Sequence, residues 1–234
     1  STISFNCLHP ATIERGSIKM DGEETFKVTL KDCLACSGCA ITEDEITIIS
    51  AQNTSAIFEK ISKDLDFAVI ISTQCVANLA AIRDWSAGKA YASIKRMFEQ
   101  KGAKTIVLDT EIVQVWRKLL IKDFIEKDYP SPFMISRCAG SVIYYQRKTT
   151  YAANLAQIKP YPQLLASYLK NVAKVASYVI YVGPCYDRKL EAAHFDNEVD
   201  AVLTLSELNE HLSDVEEEES VVFPVGDDVE YMVN

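Results

Sequence analysis

Phe67-Ala68-Val69-Ile70-Ile71-Ser72 decides the fold class. It is a continuous apolar run of strand length, and its Val-Ile-Ile centre is β-branched, which favours strand over helix. A strand with no polar alternation belongs in a parallel sheet covered by helices on both faces. Outward from this run the chain repeats the theme. Helical Gln74–Arg83 follows, then a second helix Lys89–Lys101 that stops at Gly102, a natural residue just past a helix end. Thr105–Leu108 reads as a strand, and Asp109 is placed to cap a long helix through Lys127. Pro130 and Pro132 break that helix before a predicted strand, Phe133–Ser136. Helices around Ala139–Arg147 and Tyr161–Ala176 lead to a buried strand, Tyr178–Val182. A further strand, Ala201–Leu205, precedes a helix with Ser206 as its N-cap and Glu207 in its first turn. Upstream, Glu45–Ser50 (EITIIS) reads as a short strand and Asn53–Asp64 as an amphipathic helix. Strands alternating with helices predict an α/β fold, whose functional sites lie on loops leaving the carboxyl ends of the strands. Cys138 and Cys185 follow two of those ends; packing and metal binding both remain open for them on this ground.

A different signal precedes the alternating region. In Cys33-Leu34-Ala35-Cys36-Ser37-Gly38-Cys39 three cysteines stand at even intervals. C-x2-C-x2-C brings three thiolates around one centre and is the local part of a [4Fe–4S] site. The fourth ligand must come from elsewhere, and Cys7 is the only other cysteine in the first 70 residues. Ala35, Ser37 and Gly38 are small enough for the backbone to wrap the cluster and aim N–H groups at its sulfurs. Zinc and disulfides are the alternatives. Zinc sites usually pair two C-x2-C units or one with histidines, and neither follows here.

Composition sets the context. With 234 residues and 48% hydrophobic content, the chain can bury a substantial core in one or two domains. Seven cysteines are too sparse for a disulfide scaffold at this length. No apolar run resembles a signal peptide or approaches the roughly 20 residues of a membrane span, so the expectation is a soluble, reducing environment. The net charge of −9 argues against a nucleic-acid-binding surface.

Four segments occur in order: Asp32–Ile41 (DCLACSGCAI), Pro132–Gly140 (PFMISRCAG), Gly183–Ala192 (GPCYDRKLEA) and Val199–Leu208 (VDAVLTLSEL). On these the chain resembles the iron-only hydrogenase-like proteins, also called nuclear prelamin A recognition factor-like proteins, of cytosolic iron–sulfur protein assembly. True [FeFe] hydrogenases are the more distant match. The resemblance implies a small N-terminal [4Fe–4S] cluster region over residues 1–52 and a hydrogenase-like α/β domain over 53–234. That domain would comprise two lobes with parallel sheets, about 53–130 and 131–234, the second shortened at its C-terminus. The implied ligands of the first cluster are Cys7, Cys33, Cys36 and Cys39. Cys138 and Cys185 match two of the four cysteines of a second, interlobe cluster. The other two would come from a C-terminal C-x3-C motif that these 234 residues lack, so the expectation is one cluster, with a second in doubt.

The implied function is a non-enzymatic factor that helps deliver [4Fe–4S] clusters to cytosolic and nuclear apoproteins. Its partners would be a scaffold ATPase, a β-propeller targeting protein and client apoproteins, with no nucleic acid or membrane. The alternative is a redox or electron-transfer protein of hydrogenase descent. Against hydrogen turnover, Arg137 stands where a hydrogenase has a second cysteine, and Ala139-Gly140-Ser141 replaces a Pro-Gly-Trp. Arg188 replaces a lysine, while Glu191 is kept; the two are a candidate ion pair or the remnant of a site.

The remaining candidates have plainer readings. Cys75 reads as a buried thiol, with replacement of a missing ligand as the sharper alternative. His9, His194 and His211 show no metal spacing, and Trp85 and Trp116 read as packing. Asp109-Thr110-Glu111 reads as a helix cap with a first-turn acid rather than a catalytic pair. Glu216–Glu219 is a solvated acidic run suited to a basic partner. No glycine-rich phosphate loop is present.

Overall fold

A computed structural model describes residues 17–19, 25–27, 43–62, 65–195 and 198–214. Cys7, Cys33, Cys36, Cys39, His9 and the Glu216–Glu219 run lie outside the described residues. Two short strands, β1 (Ser17–Lys19) and β2 (Thr25–Lys27), pair antiparallel with Ile18 opposite Phe26.

The main sheet has four parallel strands: β3 (Phe67–Ile71), β4 (Thr105–Leu108), β5 (Tyr178–Gly183) and β6 (Ala201–Thr204), in the order β4-β3-β5-β6. Phe67 stands opposite Tyr178, Ala68 opposite Thr105, and Ile180 opposite Ala201. All four strands match the predicted apolar runs. Strands assigned to residues 53–130 and to 131–234 pair in this one sheet.

The continuous apolar runs are needed because both faces are covered. On one face Phe67, Val69, Ile71, Ile180 and Val182 pack against α2 (Thr54–Ile61), α3 (Thr73–Arg83), α4 (Ala87–Gln100) and the short α9 (Leu205–Leu208). On the other, Ala68, Ile70, Val179, Tyr181 and Val202 pack against α5 (Val113–Glu126) and α7 (Tyr161–Ser167), with Ala192 of α8 (Asp187–His194). Each fully buried Ile, Leu or Phe contributes about 1.5–3 kcal/mol relative to exposure. Gly102 ends α4 with φ of 92°, in the left-handed region that glycine adopts without strain.

Four local expectations are corrected. Glu43–Ala51, which contains the supposed strand EITIIS, is helix α1. Glu45 and Ile49, four apart and both buried, form its inner stripe, and Arg147 meets Glu45 at 2.5 Å. Tertiary packing overrides the β-branched composition there. Phe133–Ser136 makes one isolated bridge, Met134 to Leu155, and joins no sheet. The helix from Tyr161 ends at Ser167, continues as a π-turn over Tyr168–Val172, and closes before Lys174 at φ of 53°. The N-cap of α9 is Thr204 rather than Ser206: Thr204 and Glu207 form a reciprocal capping box. No helix among the described residues is long and apolar enough to cross a membrane.

Candidate functional site

The connection out of β3 leads to the edge strand β4, and the chain then returns to the opposite side of β3 as β5. The loops leaving β3 and β5 therefore diverge, and a crevice at such a reversal is where open α/β sheets place their ligands. Ser72, just past β3, donates its N–H to the Val182 carbonyl at 3.1 Å, which ties the two strand ends together. Cys75 sits in the first turn of α3 after β3, and Cys185 stands two residues past β5. Cys138 immediately precedes α6 (Ala139–Lys148), held by its N–H to Ser136 Oγ at 3.1 Å.

The three thiols differ in environment. Cys75 is buried, Cys185 partly covered and Cys138 exposed. Burial pushes the Cys75 thiol well up, and Asp109 and the neighbouring Cys185 add to the effect. Cys185 is pushed up to about 11, first by burial, then by Asp187, with Cys138 adding a smaller push. No three His, Cys, Asp or Glu side chains among the described residues are arranged to hold a metal ion. A cubane takes four such donors, so the described part of this edge does not fit one.

A buried polar assembly fills the edge instead. Arg188 Nη1 donates to both Glu191 carboxylate oxygens, at 2.8 and 2.7 Å, and the two side chains are only 5% and 8% exposed. Arg188 Nη2 donates to the Arg137 carbonyl. Burial disfavours the guanidinium charge, but Glu191, Tyr181 and Tyr161 outweigh it and hold Arg188 protonated. Burial pushes the Glu191 carboxyl up, and Arg188 opposes that. The guanidinium carbons of Arg137 and Arg188 lie 4.6 and 5.5 Å from the Tyr161 ring centre. Two glycines permit the close packing. A Cβ on Gly183 would meet Arg188 Cβ at 3.3 Å, and one on Gly140 would meet Asp187 Oδ2 at 2.4 Å.

Asp109 has a different role from the one expected of it. Its Oδ1 accepts from Thr73 N at 3.1 Å and Thr73 Oγ1 at 2.8 Å, so it caps α3 across the sheet rather than the helix that follows it. Tyr181 donates to Asp109 Oδ2 at 3.4 Å and lies 3.5 Å from the Tyr161 hydroxyl. Nothing in the sequence marks Thr73, Tyr161 or Tyr181 as members of this assembly, because β5 is buried along its whole length and its alternation carries no inward signal. Trp116 donates its Nε1–H to the Lys159 carbonyl at 3.0 Å as part of the core, and His211 packs edge-on against Phe58.

The thiol order is directly measurable. With Cys185 at about 11, only about one molecule in a thousand carries its thiolate at pH 8. Iodoacetamide with site-resolved mass spectrometry should alkylate Cys138 first. The Cys185 rate should rise about tenfold per pH unit up to its pKa, and Cys75 should stay protected until unfolding. Equal rates at the three sites would refute this arrangement.

Residues 66–222 match the family model described as iron only hydrogenase large subunit, C-terminal domain. A relative named probable cytosolic Fe-S cluster assembly factor Bm6838, from Brugia malayi, is 31% identical over 215 residues, covering 85% of this chain and 47% of that protein. Protein NAR1 of Arabidopsis thaliana is 29% identical, covering 79% and 46%. The chain spans about half the length of the curated relatives it matches. Among solved structures, apo [FeFe]-hydrogenase HydA1 from Chlamydomonas reinhardtii superposes with a TM-score of 0.50 at 16% identity, covering 75% of this chain and 50% of that one. Another [FeFe]-hydrogenase structure gives 0.52 at 17%, covering 74% and 51%. At these identities the likeness is one of fold.

Proposed function

The chain belongs to the family of the iron-only hydrogenase large subunit, C-terminal domain, and from that premise we propose that it is an iron–sulfur cluster-binding assembly factor without hydrogenase activity. It would help deliver [4Fe–4S] clusters to cytosolic and nuclear apoproteins. The observation that carries the reading is the buried ion pair at the strand ends: Arg188 is held by Glu191 and the Arg137 carbonyl. No lysine or second thiol stands at those positions to hold a diiron unit or pass protons to it. The names of the assembly-factor relatives support the same role.

In this reading residues 1–52 form the cluster region, with Cys7, Cys33, Cys36 and Cys39 as a donor set of four thiolates that suits one [4Fe–4S] cluster. When bound, that cluster supplies a redox-active, exchangeable centre. Residues 53–234 are the hydrogenase-like α/β domain; a division near residue 130 would fall between β4 and β5, which flank β3 in one sheet. A second cluster at Cys138 and Cys185 would need donors beyond the described residues. The partners are a scaffold ATPase, a β-propeller targeting protein and client apoproteins, and the site of action is the cytoplasm, extending to the nucleus.

Two assays on the anaerobically purified chain test this together: hydrogen-driven reduction of an artificial acceptor, and cluster transfer to an apo-aconitase-type recipient. Recipient activation without dye reduction is expected. Hydrogen-dependent dye reduction would overturn the reading in favour of a hydrogenase-derived redox protein.

A further inference from the structure

Helix α5 turns its second half outward. Ile121 is 57% exposed, Phe124 51% and Ile125 75%, and Ile135 beyond the helix is 51% exposed. Gln114, Arg117, Lys118 and Ile121 recur at helical spacing, and with Ile135 and Arg137 they border a groove of about 900 Å³. Trp116 and Leu120, both buried, form part of its lining. Scattered exposed apolar residues are ordinary, but a contiguous group beside a groove marks an interaction surface. Every charged side chain lining this groove is cationic, Arg117, Lys118 and Arg137, although the chain as a whole carries −9.

We propose that the groove docks an acidic, apolar-bearing segment of a partner protein. Its carboxylates would face Arg117, Lys118 and Arg137, and its apolar side chains would cover Ile121 and Ile135. Charge decides the occupant. A symmetric contact between two copies would set each cationic lining against itself, because a two-fold interface pairs a surface with its own copy. An acidic segment is attracted instead, and steered by the opposite charge. Placement adds a consequence: Ile135 and Arg137 lie just before the exposed Cys138, so a docked segment lies next to the thiol edge of the sheet. The inference rests on the groove and does not depend on iron.

The probe is a fluorescein-labelled peptide with the sequence of residues 215–225, VEEEESVVFPV, which joins four glutamates to an apolar run. Its counterpart with all four Glu→Gln is the control. Anisotropy titration of the full chain should give saturable binding that weakens with salt and weakens at least tenfold for the control. Arg117→Glu/Lys118→Glu, two exposed positions that should leave the thermal midpoint unchanged, should weaken binding at least tenfold, and so should Ile121→Asp. Lys148→Glu on exposed α6 should not. Absent binding, or equal binding by the Gln peptide or the charge-reversed chain, overturns the proposal. So does concentration-dependent dimerisation that Ile121→Asp abolishes, or tighter association with vesicles of anionic lipid than with the peptide. A chain with Glu216–Glu219 all changed to Gln covers the last case. If the peptide binds only that variant, the chain's own segment is the occupant and the partner proposal fails.

Discussion

Cys36→Ala, purified anaerobically, is expected to lose nearly all of its iron, whereas Cys138→Ser/Cys185→Ser should retain it. The wild-type chain should carry about four iron and four sulfide, the content of one cubane. The argument is one of donor number. C-x2-C-x2-C supplies three thiolates from seven residues and Cys7 offers a fourth, so removing the central cysteine leaves an iron of the cubane without its protein ligand. At the sheet edge, two thiols with no third group in metal-binding arrangement among the described residues cannot hold four irons. Elemental analysis and the visible absorption of the brown protein read both outcomes. A colourless, zinc-loaded wild type would end the iron assignment, and loss of half of about eight irons in the double variant would reveal a second cubane.

Glu191→Ala should destabilise the fold by about 3–5 kcal/mol, because it strands a buried arginine without its counter-charge. Arg188 is 5% exposed on its side chain, and its remaining hydrogen bond goes to the Arg137 carbonyl. Exposed ion pairs in the same molecule, such as Lys95 with Glu99 at 3.6 Å, should shift stability by less than about 1 kcal/mol when broken. Urea unfolding of the two variants side by side gives the comparison. Arg188→Met/Glu191→Leu is the informative third variant, since exchanging a buried pair for apolar residues is often close to neutral. Equal small effects for Glu191→Ala and Glu99→Ala would show that the buried pair is hydrated and open.

The strands of the main sheet were legible because burial on both faces writes itself as uninterrupted apolar runs, as in Phe67–Ile71 and Tyr178–Gly183. Short amphipathic pieces were not so clear. EITIIS satisfies a strand by composition and a helix by the spacing of Glu45 and Ile49, and only the packing chooses between them. Thr204-Leu205-Ser206-Glu207 carries the capping-box spacing, whereas Ser206 has Asn209 rather than a glutamate or glutamine three residues on. Asp109 is the opposite case. Its partners Thr73 and Tyr181 lie 36 and 72 residues away, and nothing local announces them. At the site, the cysteines at the strand ends could be read from position. The buried Arg188–Glu191 pairing remained one of two alternatives because helical spacing allows a contact at i,i+3 without stating its burial.

The strand order has a cost during synthesis. β3 lies at the centre of the sheet, yet its partner β5 begins with Tyr178, which pairs with Phe67. At about 5–20 residues per second, a ribosome needs roughly 5–20 s to make the chain between them. Throughout that interval the flank of β3 reserved for β5 presents unpaired N–H and C=O groups beside Val69, Ile70 and Ile71, a template for any other nascent chain. Newly made chains would therefore depend on chaperone shielding until β5 has emerged, and their yield should fall when translation slows between β4 and β5.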